Sequence, residues 1–236
     1  MYINALFNYY YQGMMSMMNV QDANPYQLGS ITYFYESGKR NIYEAVGVIS
    51  SGFNDPGGKS YGIYQLASKT DTLKNFIGFF KIKTAHYFDN TLTGYFDTVV
   101  IASIEFDEKW RWLAKQFPIA FANIQHDFIA ATHYDPLIKF FTDRNISADT
   151  ISPALKEALW SLGVQHGKAL MILENCYAEF NNVLDERSFI ETLYKHRTKY
   201  VHHLTTLNET MKINICKRYE KECAEIIAML INNRQN

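Results

Sequence analysis

Two carboxylates, Glu36 and Asp55, bound a run that reads E-S-G-K-R-N-I-Y-E-A-V-G-V-I-S-S-G-F-N-D-P-G-G-K-S-Y-G-I-Y-Q over residues 36–65. Glycosidic bond cleavage needs that pair of groups. One carboxylic acid protonates the leaving oxygen, and a second carboxylate serves the water or the sugar. Glu36 follows Tyr33, Phe34 and Tyr35, whose rings would desolvate it and raise its pKa, as an acid catalyst requires. Asp55 would activate water or stabilise positive charge on the sugar. It also lies in F-N-D-P-G-G, where Asp can bond its own backbone, Pro56 presets φ and Gly57-Gly58 permit positive φ. A turn-forming role for Asp55 therefore competes with a catalytic one. Ser60, Tyr61, Tyr64 and Gln65 follow as substrate-side candidates: Ser60 to hold a water, Gln65 to bond substrate or brace the Glu36 backbone. In a strand, 61 and 65 share one face and 60 and 64 the other, so both sets reach a cleft only if the strand twists or ends early.

Other chemistry is poorly supported. His126, Asp127, His133, Asp135 and His166 can be drawn as a metal site, but their spacing matches no zinc pattern such as H-E-x-x-H. A buried polar network tying helices together explains them better, and no metal or cofactor is expected. Cys176, Cys216 and Cys223 lie in no nucleophile motif. They form no disulfide framework, and as buried thiols they fit synthesis in a reducing compartment.

The elements that must position Glu36 and Asp55 are mostly helices. I-T-Y-F-Y-E-S-G reads as a helix end capped by Gly38, with Glu36 facing a cleft. Residues 46–51 and 60–65 read as two short strands around the Gly-rich turn. Residues 68–80 carry Leu73, Phe76, Ile77 and Phe80 at helical spacing, and 81–104 mix a short helix with loop. A long helix is expected over 106–131, bent at Pro118. Asp135-Pro136 and Ser152-Pro153 read as helix starts, the second helix running to Gly167. Ser188 and Glu191 have capping-box spacing. A last helix places Met211, Ile215, Tyr219, Cys223, Ile226 and Leu230 on one face. Residues 1–28 form a Met- and Tyr-rich lead expected to dock on the domain that follows, 29–236.

The chain has 236 residues, 47% of them hydrophobic, and a formal charge of −1. That suits one globular domain with a core. It offers no basic balance for nucleic acid and no run long enough to span a membrane. The first twenty residues have no positively charged side chain and no unbroken apolar core, so no signal peptide is expected. If its substrate lies outside the cytoplasm, such a protein would be made in the cytoplasm and delivered by other machinery.

E-S-G, S-S-G-F-N-D-P-G-G-K-S-Y-G-I-Y-Q-L, Q-H-D-F-I-A-A-T-H-Y-D-P and E-A-L-W-S-L-G-V-Q-H-G occur in order, followed by H-R-T-K-Y-V and K-R-Y-E-K-E. Together, over about residues 29–230, they resemble the muramidase domain at the C-terminus of some type VI secretion spike proteins and related phage-type peptidoglycan hydrolases. The resemblance implies a lysozyme-like, chitosanase-like fold: mainly α, with two helical lobes and a small β-hairpin flanking a substrate cleft. It also implies Glu36 as general acid, Asp55 as the second carboxylate, and peptidoglycan glycan strands as substrate, cut between N-acetylmuramic acid and N-acetylglucosamine. An inverting mechanism follows from the chitosanase likeness, with carboxyl groups about 6.5–9.5 Å apart. The chain departs from the family pattern. The connection around N-I-Y-E is longer and adds Glu44 as a competing carboxylate. Phe53-Asn54 replace a basic residue and Gly, Lys59 replaces Val, and Lys168 replaces a small residue. A lytic transglycosylase and a catalytically silent glycan-binding module are the alternatives. A phage endolysin and a secreted antibacterial effector, with an immunity protein and a secretion apparatus as partners, are the two biological settings.

Overall fold

The computed structural model describes residues 28–37, 42–53, 55–88, 90–180 and 185–232. Of the lead segment, only Leu28 falls within these ranges, and the expected cap Gly38 lies outside them. The described part opens with α1 (Ser30–Ser37) and a 3-10 turn (Ile42–Glu44), then strands β1 (Ser60–Tyr61) and β2 (Leu66–Ala67). Helices α2 (Asp71–Tyr87), α3 (Ile104–Gln116) and α4 (Pro118–Ile129) follow, and a π turn (Ala130–Tyr134) leads into α5 (Asp135–Thr142). Helices α6 (Pro153–Gln165), α7 (Ala169–Tyr177), α8 (Glu186–His203) and α9 (Glu209–Asn232) complete the described part.

Side-chain oxygens start the helices where backbone N–H groups lack partners. Thr70 accepts from Thr72 N–H ahead of α2, and Ser103 from Phe106 N–H ahead of α3. Ser152 accepts from Leu155 N–H ahead of Pro153, as expected. Asp185, not Ser188, caps α8; its Oδ1 accepts from Arg187 N–H, and Ser188 Oγ donates to its Oδ2 at 2.7 Å. The helix therefore begins one turn earlier than the Ser188/Glu191 spacing implies.

Three further expectations need correction. Pro118 breaks the 106–131 helix instead of bending it, because Phe117 leaves the helical region (φ −134°, ψ 54°), as a residue before Pro tends to. Asp135 does not N-cap α5; the chain reaches it through the π turn, already helical at φ −57°, ψ −36°. The strands are shorter and shifted. β1 pairs antiparallel with β2 (Ser60 with Ala67, Tyr61 with Leu66), and residues 46–51 supply one bridge, Ile49 to Tyr61. The first strand stops at Gly62 because φ is +73° there. A Cβ at Gly62 would meet Gln125 Oε1 at 2.1 Å, so glycine is what lets the hairpin close against α4.

The helices pack in two groups. Helices α2, α3 and α4 with the hairpin form one, α5 to α9 the other, and the α4–π–α5 rod runs between them. Helix α1 lies on α6 and α9. One continuous apolar core fills both groups, centred on Trp110, Phe76 and Phe121 in the first and on Trp160, Leu159 and Phe189 in the second. Cys176 lies in that core, its thiol pushed up to about 12, first by burial. Among the described residues no helix is long and apolar enough to cross a membrane, and no three metal-ligating side chains come together.

Candidate active site

The start of α1 is built on one buried anion. Glu157, on α6 and fully buried, accepts N–H donors from Gly29 (2.7 Å), Ile31 (2.9 Å) and Thr32 (3.2 Å). A carboxylate there satisfies the orphan donors of the first turn and faces the positive end of the helix dipole. Gly29 makes the approach possible: its φ is +91°, and a Cβ would sit 2.4 Å from Trp160 Nε1. Glu36 stands in the last turn of α1; its side chain lies outside the described part.

The hairpin is held from three sides. Tyr61 is fully buried and its hydroxyl donates to Asp107 at 2.5 Å, while Lys59 Nζ reaches Asp107 Oδ2 at 2.7 Å and the Ala102 carbonyl at 3.1 Å. Gln125, also fully buried, accepts from Ile63 N–H at 2.9 Å and donates to the Val46 carbonyl at 3.2 Å, which Trp110 Nε1 also reaches. A buried amide that satisfies two loops at once fixes both. The third support is aromatic. Tyr64 lies against His126 and Trp160, and His126 stacks on Trp160 with centroids 4.4 Å apart. His126 Nε2 bonds the Leu28 carbonyl at 2.9 Å. Burial lowers the His126 pKa, although that carbonyl and Asp127 push the other way. The tip of the hairpin and the root of α1 are thus tied through one His–Trp stack.

Asp55 is exposed on the turn before β1. Its Oδ1 accepts from Gly57 N–H at 2.7 Å, its N–H donates to the Gly52 carbonyl and its carbonyl accepts from Gly58 N–H. The turn-forming role is therefore present, and the carboxylate still faces solvent. Gly52 has φ +66° and abuts the backbone of Gly58 and Lys59, which closes the loop around Asp55.

The four substrate-side candidates separate. Tyr61 belongs to the core, its ring between Phe106 and Trp110, and it supports the hairpin from within instead of facing a cleft. Ser60 is nearly buried, and its N–H donates to Ser50 Oγ at 2.8 Å. Tyr64 is half-buried. Gln65 is exposed at φ 51°, and its amide donates to the Gly62 carbonyl at 2.9 Å. Glu44 is exposed at the end of its 3-10 turn. Neither of the two described hollows is lined by Asp55 or the hairpin candidates. One of about 570 Å³ between α7 and α8 is lined by Met171, His196, Lys199 and His203, and one of about 230 Å³ by Ser30, Ile31, Phe34 and Glu225.

Sequence reading missed Glu157, Asp107 and Gln125 as supports. A signal existed for Glu157: A-L-K-E-A-L-W-S-L-G is apolar around nearly the whole helix, so a Glu inside it has to find a buried partner.

This fold is shared with solved chitosanases. A Gynuella sunshinyii GH46 chitosanase in complex with chitotetraose superposes with a TM-score of 0.55 at 15% identity, covering 88% of this chain and 87% of that one. Native chitosanase from Bacillus subtilis MY002 gives 0.56 at 14% identity, covering 89% and 88%. The chain belongs to the type VI secretion system spike protein VgrG3-like, C-terminal family, matched over residues 28–223. It is 32% identical over 159 residues to the type VI secretion system spike protein VgrG3 of Vibrio cholerae serotype O1, a match covering 66% of this chain and spanning 14% of that protein's length.

Proposed function

We propose that the chain is a peptidoglycan-cleaving glycoside hydrolase, a muramidase, with Glu36 as general acid and Asp55 activating the attacking water in an inverting displacement. The observation that carries this reading is the placement of Asp55: an exposed carboxylate on a turn braced through Lys59, Asp107 and Gln125. The fold is one in which solved relatives include a chitosanase bound to chitotetraose, which supports a glycan substrate. Water activation needs a charged acceptor held still and open to solvent, and the turn provides both. Gln65 and Tyr64, at the hairpin tip, are the substrate contacts that remain accessible; Ser60 lies one residue inside them.

The Asx bond from Gly57 N–H to Asp55 favours a second reading. If Asp55 only forms the turn, Glu36 is left as the sole acid/base, which is the requirement of a lytic transglycosylase. Membership of the spike-protein family supports delivery by a secretion apparatus to the wall of a target cell, with an immunity protein protecting the producer, over release as an endolysin.

Loss of turbidity of purified sacculi tests the reading. Wild type should clear them and Glu36→Gln should be slower by about a hundredfold or more, the range for removing a general acid. Equal clearing by both would refute the site, and clearing by neither would leave a glycan-binding module.

A further inference from the structure

We propose that Tyr35 and Glu225 form a clasp that positions Glu36, a role that rests on the glycosidase reading above. Helix α1 has eight residues, too few to hold its own shape. Its first turn is fixed by Glu157. Its last turn, which carries Glu36, needs a separate support. The side chain immediately before Glu36 supplies one: Tyr35 Oη donates to Glu225 Oε1 on α9 at 2.7 Å, across 190 residues of sequence. The Arg218 guanidinium lies 5.9 Å from the Tyr35 ring centre, from the same helix.

Glu225 stands on a rigid base. Its neighbours Glu222 and Ile226 are fully buried, and Glu222 accepts from Tyr194 at 2.9 Å and lies 3.9 Å from the buried Arg197 guanidinium. The position of α9 is therefore set by the core, and Tyr35 transmits it to the end of α1. Burial and the Glu225 bond both raise the Tyr35 pKa, so the phenol stays protonated and remains a donor. Glu225 also lines the hollow beside Ser30, Ile31 and Phe34. It lies just past residues 28–223, the span matched to the spike-protein family. Glu225 is exposed and Tyr35 half-buried, and a hydrogen bond in that setting adds little to global stability. Its effect should appear in rate.

The test compares Tyr35→Phe, Glu225→Ala, Glu225→Gln and the double variant Tyr35→Phe/Glu225→Ala on soluble peptidoglycan fragments, with hydrogen–deuterium exchange read over residues 30–37. In Tyr35→Phe and Glu225→Ala, kcat should fall about tenfold with KM within about twofold, since a displaced reacting group costs rate more than binding. Melting temperatures should stay within about 2 °C of wild type. Exchange near the end of α1 should rise. Glu225→Gln should keep most of the rate, because its amide oxygen still accepts the phenol. The double variant should be no slower than the singles, as for two halves of one contact. An inactive wild type would overturn the glycosidase reading. Unchanged kcat and exchange in Tyr35→Phe, or a rate loss that tracks a loss of melting temperature, would overturn the clasp.

Discussion

Asp55 forms its turn through the bond from Gly57 N–H and is proposed to activate water, and the two roles can be separated by substitution. Asparagine keeps the oxygen that accepts from Gly57 N–H and removes the charge. Asp55→Asn should therefore fold with an unchanged melting temperature and lose about 10²–10⁴-fold in rate, the contribution of a general base. A near-wild-type rate for Asp55→Asn would make Asp55 a turn former only. At this scale the sequence exposed the two carboxylates because chemistry and turn formation both leave local signatures. It did not expose Glu157, whose backbone donors lie more than a hundred residues away in the chain. Replacing Glu157 by Gln removes its charge and turns one of its two accepting oxygens into an N–H₂ group that faces a backbone N–H. That should cost about 2–3 kcal/mol, the worth of hydrogen bonds to a charged group, and lower the melting temperature by roughly 5–10 °C, as calorimetry would show.

Elements were legible where their ends are written in capping residues and illegible where tertiary contact sets them. Ser152-Pro153 announced α6, and the apolar stripe announced α9, with Tyr219, Ile226 and Leu230 buried. The strands were misplaced because residues 46–51 contribute a single bridge and the positive φ of Gly62 ends β1 after Tyr61. The π turn has no local signature. It lets the rod continue while α6 approaches so closely that a Cβ on Gly163 would lie 2.6 Å from the His133 carbonyl. The junction of α6, α8 and α9 carries a pH prediction. His166 is buried with Nε2 taking Arg197 Nε–H at 3.4 Å and lying 2.8 Å from the Tyr219 hydroxyl. Its pKa is lowered from 6.5 to about 3, first by burial and then by the Arg197 and Arg218 charges. The unfolded chain takes up this proton near pH 6.5 and the native chain only near pH 3. The stability His166 contributes is thus whole above that window, falls as pH drops through it and levels off below it. Urea midpoints at pH 7 and pH 5 should drop more steeply for wild type than for His166→Gln; equal slopes would show that His166 is not the group responsible. Burial lowers the His126 and His133 pKa values in the same sense, so some slope should persist in the variant.

For the whole molecule, the architecture places a helix with Glu36 in its last turn and a braced turn bearing Asp55 on supports that converge at Tyr64, His126 and Trp160. The composition gave the single core and the lack of an overall basic balance. The order of the motifs gave the family, since order is a property of the whole chain and no one motif carries it. The proposed delivery by a spike apparatus assigns the molecule a target outside its own cytoplasm, and only its product can say what it does there. Mass spectrometry of sacculi digested by the wild-type protein is the most direct measurement. Fragments ending in reducing N-acetylmuramic acid, absent with Glu36→Gln, are the expected result. Fragments ending in 1,6-anhydro sugar, or reducing ends released equally by Glu36→Gln, would contradict hydrolysis by this pair of carboxylates.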